Sequence, residues 1–427
     1  MLKKKIMNRS IAPAVNNEVQ LTKLAVEKST INGVEVNYVN GGSSPLLKLE
    51  MVYNAGSKYQ DQALVASLAF DLLRDGSKKL NGKAFKEAIN GLGVYYGMDI
   101  SKDFGTFSFY VLEKNLEALL TLVKDLIIAP NLPKNEFDRL LQKEKNNFLV
   151  DLEKTDFLSR QRFAEVLFAG SEYGRVAHAE SFDIIKYDMS VKFIQEFVIE
   201  KPFDLFVSGC ISDQVKSTLS SFIQKLPITK ESAKKIAKDS TPELGEHIIK
   251  KDSEQCSLML GKKMVNKHHK DVHNISITNT LLGGYFGSRL MQNIREDKGW
   301  TYGINSTVLT YENAANLVIS ADVLKDKGPD TLNEIKLEIQ KLQTELITVD
   351  ELEVMKNYLK GKLLKSFDGA FEQVDRFFSV DSFDLDWTFY DDYIYALEKI
   401  TPEDIQATAN QYFKWNEFVI VRAGGAS

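Results

Sequence analysis

Two passages, one near the end of each half of this chain, run through the same elements in the same order, so the fold must be built twice. The first runs from Lys186 to Phe197 and on to Phe203–Gly209; the second runs from Lys399 to Ala407 and ends in Glu417–Gly424. In each, a capped helix of about three turns leads through an aromatic-rich turn to an apolar strand that stops at glycine. Thr401 and Asp404 have capping-box spacing, and Pro402 falls at the first helical position, where its missing N–H costs nothing.

The bodies of the halves repeat as well. Asn115–Ile128 and Pro133–Glu153 read as a helix pair, and so do Thr331–Leu346 and Val349–Leu364, the latter opened by a Thr348/Glu351 capping box. Alternating strand patterns precede each pair. Phe107, Phe109 and Val111 alternate with Thr106, Ser108 and Tyr110, and Tyr302–Thr310 precedes Ala315–Val323. Asn32-Gly33 between short apolar runs predicts a hairpin. The fold class is therefore α+β: two homologous domains, each an antiparallel sheet with helices packed on it. The domains span 1–225 and 246–427. A linker at 226–245, rich in Lys, Glu and Ser, is interrupted by Leu226-Pro227 and Thr241-Pro242. A chain of 427 residues with 44% hydrophobic content supplies two cores of that size.

Composition removes several function classes. A net charge of −5, from 54 basic and 59 acidic residues, leaves no basic surplus for a phosphate backbone, so no nucleic-acid partner is expected. The start, Met1 to Ser10, is basic but lacks an apolar export core, and no apolar run approaches the ~18 residues of a membrane span. Cys210 and Cys256 have no disulfide or metal-knuckle spacing and read as small buried residues of a reducing, cytoplasmic protein. Walker-type loops, Gly-x-Ser-x-Gly elbows and dinucleotide fingerprints are absent.

One passage carries chemistry. Gly283-Gly284, Ser288-Arg289-Leu290, Ile294-Arg295-Glu296, Gly299 and Tyr302 together resemble the second-domain signature of the pitrilysin (insulinase-type) zinc peptidases, in their short two-domain class related to mitochondrial processing peptidase. His269-Lys270-Asp271, ahead of a helix ending at Gly283-Gly284, is similar to that class too, and the order of the halves extends the resemblance over nearly the whole chain. The resemblance implies a clamshell of two domains. It also implies that Arg295 and Tyr302, flanking one helix-to-strand corner, bind the substrate carbonyls beside the scissile bond. A forked guanidinium and a phenol are suited to oxygen that gains negative charge.

Catalytic members of that family carry an inverted His-x-x-Glu-His zinc motif on the first long helix. Here the equivalent helix is Ala63–Arg74, and Ser67, Phe70 and Asp71 stand at the motif positions. Serine is a poor zinc ligand, phenylalanine is no general base, and one aspartate does not hold a metal. Glu144 and Asp151 occupy the helix from which a third ligand would come, and Glu172-Tyr173-Gly174-Arg175 follows the family's approach to a substrate-side loop, with Ser171-Glu172 in place of a His-Pro pair. His268, His269 and His273 form the one histidine cluster, with His269 and His273 on one face if helical, although Asp271 reads as a helix cap that puts the first two in a turn.

The expectation is a non-catalytic subunit that binds no cofactor itself. It pairs with a zinc-motif-bearing homologous peptidase subunit, which carries the zinc, and the two act together on a peptide substrate. The alternatives are a non-enzymatic scaffold or peptide-binding protein of the same fold, like respiratory-complex core subunits, and a self-sufficient enzyme with an unrecognised metal site. Retention of Arg295 and Tyr302 weighs against a scaffold, which has no need of a carbonyl clamp.

Overall fold

Asn32 and Gly33 take φ of 48° and 80°, the left-handed backbone that a two-residue hairpin turn requires. They join β1 (Val26–Ile31) to β2 (Val34–Asn40), with Ile31 opposite Val34. The structure is a computed structural model that describes residues 20–228 and 235–425. The basic start at Met1–Ser10 and positions 229–234 of the expected linker lie outside the described residues.

The first sheet continues with β3 (Leu46–Tyr53), β4 (Tyr95–Ile100), β5 (Gly105–Leu112) and β6 (Asp204–Gly209), in the order β1-β2-β6-β3-β5-β4. The second holds β7 (Gly245–Ile249), β8 (Gln255–Lys263), β9 (Thr301–Tyr311), β10 (Ala314–Leu324) and β11 (Val419–Gly424), in the order β7-β11-β8-β10-β9. Without β1 the two orders are the same, so the duplication holds at the level of topology. The sheets are antiparallel except for one pair each, β2 with β6 and β7 with β11. That departure from the expected all-antiparallel sheets has a simple cause. The strand closing each domain arrives after the helices, by the long crossover that parallel pairing requires, and slots in between β2 and β3 in the first sheet and between β7 and β8 in the second.

The predicted helix pairs form as Leu116–Ile128 with Lys134–Asp151, and Gly328–Thr344 with Val349–Lys365. Thr401 and Asp404 make both capping-box bonds, while at Thr348 the hydroxyl accepts the Glu351 N–H. In β5 the alternation reads through directly: Phe107, Phe109 and Val111 are buried and Thr106, Ser108 and Tyr110 half-buried.

Each sheet has a second face, and there the halves trade helices. Leu47, Leu49 and Met51 of β3 point into a core shared with helices Val65–Leu73, Leu116–Ile128 and Tyr187–Phe197. On the opposite face, Val39, Val52 and Phe206 pack against Ala370, Val374 and Phe377 of the helix Ala370–Asp381, which belongs to the second half of the chain. Conversely, Phe163, Val166 and Leu167 of the helix Thr155–Leu167 cover Val419 and Val421 of β11 in the second sheet. These helices occupy equivalent places in the two halves, so the exchange is reciprocal.

A buried polar junction adds to the exchange. Residues 311–313, at the tip of the β9–β10 hairpin, enter the first domain, where Tyr311 stacks on Tyr173 with ring centroids 5.0 Å apart. The Lys58 side chain, 1% exposed, lies 3.1 Å from Asp103 and pairs with Glu312. Tyr173 donates to Asp103 at 2.6 Å and accepts the Asn313 N–H at 3.2 Å, and the Glu312 N–H reaches Asp103 at 3.1 Å. Gly56 permits the close approach of the loop holding Lys58, since a Cβ there would lie 2.2 Å from the Asp103 carbonyl carbon. The later part of the expected linker is bound to the same body. Lys238 N–H donates to Glu172 at 2.8 Å, Ala237 N–H to Asn313 at 3.1 Å and Glu243 N–H to Val166 O at 2.9 Å.

Removing the cation from this junction strands the buried Asp103 and the half-buried Glu312 without their counter-charge. Lys58→Met should lower unfolding stability by about 3–5 kcal/mol, the range for breaking a buried ion pair, whereas Lys79→Met, which removes the exposed end of a pair with Asp125, should stay within about 0.5 kcal/mol. Urea unfolding midpoints of the two variants check this.

Candidate functional site

Helical winding after Leu290 widens. Gln292 N–H still bonds four residues back to Ser288 O at 2.9 Å, but Lys298 N–H bonds five back, to Asn293 O at 3.2 Å, and Met291–Asp297 form a π-turn. Gly299, at φ 65°, then reverses the chain, and Trp300 N–H closes the corner on Ile294 O at 3.1 Å. The helix side of the helix-to-strand corner is therefore a π-turn, and Arg295 sits within it. Such turns recur at functional sites, because the extra residue per turn re-aims side chains.

Tyr302 lies on a second irregularity. Thr301 pairs with Val323 and Ile304 with Ala321, so Tyr302 and Gly303 together face Asp322 alone: a β-bulge. The Thr301 hydroxyl holds it, donating to the Asp322 carbonyl at 2.6 Å and accepting the Gly303 N–H at 3.1 Å. The bulge ejects the Tyr302 side chain, which is 94% exposed.

The motif's two arginines differ in their surroundings. Arg289 makes a bidentate pair with Glu351 at 2.8 and 2.9 Å, which ties the corner to the helix Val349–Lys365. Arg295 has no hydrogen bond or ion pair among the described residues. Its guanidinium lies 4.6 Å from the centre of the Phe286 ring, which is itself 63% exposed. Among the described residues Arg295 is held by no carboxylate, and Tyr302 is not packed into the sheet. Phe286 is the residue that sequence reasoning passed over; its one signal was its place inside the motif. Gly283 serves close approach: a Cβ there would lie 2.6 Å from Ser306 Cβ of β9. Beside the corner opens a cavity of about 630 Å³, walled by Tyr285, Phe286, Met291 and Ile304 from the motif side and by Ser159 and Arg160 of the exchanged helix.

At the positions equivalent to the zinc motif the chemistry is different. The Ser67 hydroxyl donates to Leu64 O at 3.0 Å within its own helix turn. Phe70 is 2% exposed, and its ring meets Phe107 edge-on at 5.4 Å. Asp71 faces Arg74 at 3.5 Å. These residues do not fit a zinc ion, and among the described residues no group of three or more His, Cys, Asp and Glu could hold a metal.

The other candidates are dispersed into local roles. Asp151 pairs with Lys154 at 2.8 Å, and Glu144 is half-buried on the same helix face of Lys134–Asp151. Glu172 is buried; its burial would raise its carboxyl, but the Lys238 N–H and the Lys235 ammonium hold it below the usual range. His269 Nδ1 accepts the Asp271 N–H at 3.1 Å, and His273 stands edge-on to Phe389 at 4.6 Å. Asp271 occupies the N-cap position of the helix Val272–Gly283 without capping it, because its carboxylate accepts the Tyr412 hydroxyl at 2.5 Å. Both cysteines are free; Cys256 is buried and Cys210 only half-buried. No helix among the described residues is long and apolar enough to cross a membrane.

Against known proteins, residues 185–359 match the Peptidase M16 inactive domain. A Bacillus subtilis protein called an uncharacterized zinc protease, YmxG, is 22% identical over 359 residues, which are 81% of this chain and 85% of that one. A Helicobacter pylori protein called a non-peptidase homolog is 24% identical over 277 residues, 64% of each chain. In fold, the chain superposes on a peptidase M16 inactive domain from Pseudomonas fluorescens with a TM-score of 0.85 at 22% identity, covering 95% of this chain and 99% of that one. A Helicobacter pylori protease gives a TM-score of 0.85 at 19% identity, covering 94% and 100%.

The buried Phe70 ring fixes an expectation. Phe70→Ala should cost about 3–5 kcal/mol by opening a core cavity, and Ser67→Ala less than about 1 kcal/mol. Elemental analysis of the purified wild-type chain should find no stoichiometric zinc; one chelator-removable zinc per chain is the contrary result.

Proposed function

We propose that this chain, an M16-type protein carrying the family's inactive domain, is the non-catalytic subunit of a two-chain zinc metallopeptidase. It docks on a homologue that holds the zinc, and it presents Arg295 and Tyr302 to the peptide lying in that partner's active site. The observation carrying this reading is the contrast between the motif's two arginines: Arg289 is saturated by Glu351, while Arg295 rests on Phe286 with its N–H donors unspent.

The proposed chemistry is electrostatic. A zinc held by the partner would supply the activation of water, and Arg295 and Tyr302 would place a guanidinium and a phenol where negative charge grows on the peptide oxygen, stabilising it more than they stabilise the ground state. Positioning is what this chain contributes. Phe286 offers its ring face to the guanidinium, and the bulge at Tyr302–Gly303 directs the phenol outward. The neighbouring cavity, with Tyr285, Phe286, Met291 and Ile304 in its wall, suits an apolar side chain of the bound peptide. In this reading the chain needs no cofactor of its own, and free Cys210 and Cys256 suit the cytoplasm.

Arg295→Ala or Tyr302→Phe should lower turnover by the reconstituted pair by about 10²-fold, the scale of one lost oxyanion donor. The pair should still co-elute in size-exclusion chromatography, because neither side chain is packed in a core. Wild-type turnover from the mutant pair would leave the scaffold reading in its place.

A further inference from the structure

We infer that a cavity in the second domain, separate from the Arg295–Tyr302 corner, is a binding site for the phosphate group of a small molecule. It measures about 440 Å³ and lies between the helix Val272–Gly283, β9, and the helices Val349–Lys365, Ala370–Asp381 and Thr388–Lys399. Lys267, Lys362 and Arg376 line it, and no carboxylate does.

A group of like charges around one space is costly unless something neutralises it. Lys267 donates to the Ser379 carbonyl and lies 4.4 Å from the centre of the Phe383 ring, but has no acidic partner among the described residues. Burial, with the Arg376 charge nearby, pushes its ammonium down to about 8. The Arg376 guanidinium has the Tyr390 hydroxyl as a polar neighbour but no acidic partner among the described residues, so most of its planar fork is open to a ligand. Three other cations are matched, by contrast: Lys58 by Asp103 and Glu312, Lys48 by Glu50 and Asp375, Arg289 by Glu351. Here the missing counter-charge is one that a ligand would supply.

Three cations suit a dianion better than a single carboxylate, and an arginine fork with a lysine beside it matches the oxygens of phosphate. The cavity is larger than an inorganic phosphate needs. His273, Phe389 and Tyr393 give the remainder an aromatic wall, with His273 and Phe389 rings 4.6 Å apart. A phosphomonoester with a flat organic body would use both parts. This inference is independent of the peptidase-partner reading, since it concerns this chain alone.

The test is calorimetric titration of the full-length chain with inorganic phosphate and with phenyl phosphate, at ionic strength held constant with chloride. Saturable binding of either is expected. Tighter binding of phenyl phosphate assigns the site to a phosphomonoester, and equal binding assigns it to free phosphate. Arg376→Gln and Lys267→Met should each weaken binding by about tenfold or more, the scale of a lost charge-assisted hydrogen bond. Lys267→Met should change the thermal midpoint of the ligand-free chain little, because the half-buried charge it removes has no acidic partner among the described residues to offset its bond to the Ser379 carbonyl; lost binding in a variant that remains as stable as wild type therefore reports on the site and not on folding. Absence of saturable binding by the wild type, or unchanged binding by both variants, overturns the inference.

Discussion

The ammonium of Lys58, sealed between Asp103 of one domain and Glu312 of the other, is the contact on which the arrangement of the molecule depends. Those two carboxylates come from different halves, and neither can be buried without the cation. The charge therefore specifies that the β9–β10 tip enters the first domain at one depth and in one register. Tyr173 reinforces it by bonding Asp103 and the Asn313 N–H while stacking on Tyr311. An apolar plug of similar volume could bind as tightly, but it would tolerate sliding; directional bonds do not. The consequence reaches the candidate site through the strand itself. β9 has 11 residues, so Tyr302, near its other end, stands roughly 30 Å from the anchored tip.

The exchanged helices make that anchoring cooperative. Thr155–Leu167 closes the open face of the second sheet and Ala370–Asp381 that of the first, so separating the domains would uncover both faces at once. Polar contacts run along these seams. Lys48 and Glu50 meet Asp375 under one helix, and Ser257 meets Thr155 at 2.8 Å under the other. Each half is thus an incomplete domain that the other completes. A ligand or partner that moved one sheet would have to move a helix of the opposite half with it.

The helix that carries Phe70 and the corner that carries Arg295 and Tyr302 differ in physical character. On the helix Val65–Leu73 a phenyl ring is part of the core, with Phe70 over Gly105 and against Phe107; a Cβ at Gly105 would lie 2.2 Å from the ring. Placing polar groups there would mean emptying packed volume as well as changing side chains. At the Arg295–Tyr302 corner, the backbone departs from regular geometry at both residues, through a π-turn and a bulge, and the side chains stay outside any core. Irregular backbone costs stability, and it persists here on hydrogen bonds from Trp300, Thr301 and Gly303 that hold the corner in one shape.

Much of this was legible in the linear order of residues. Period-two alternation placed Phe107, Phe109 and Val111 inward, Asn32-Gly33 demanded the left-handed turn it makes, and Thr401 with Asp404 and Pro402 marked a helix start, because each of these depends on neighbours a few residues away. The motif positions of Arg295 and Tyr302 were legible for the same reason. The parallel pairs β2–β6 and β7–β11, the exchange of Thr155–Leu167 for Ala370–Asp381, and the junction of Lys58 with Glu312 were not. An apolar helical stripe states that it must be covered and is silent on which sheet will cover it. A lysine likewise carries no mark of a carboxylate 254 residues away. Local chemistry determined the elements and the duplicated plan; only the closing of the two halves on each other decided which charges were buried together, and which, at Arg295 and in the Lys267–Arg376 cavity, were left without a carboxylate partner among the described residues.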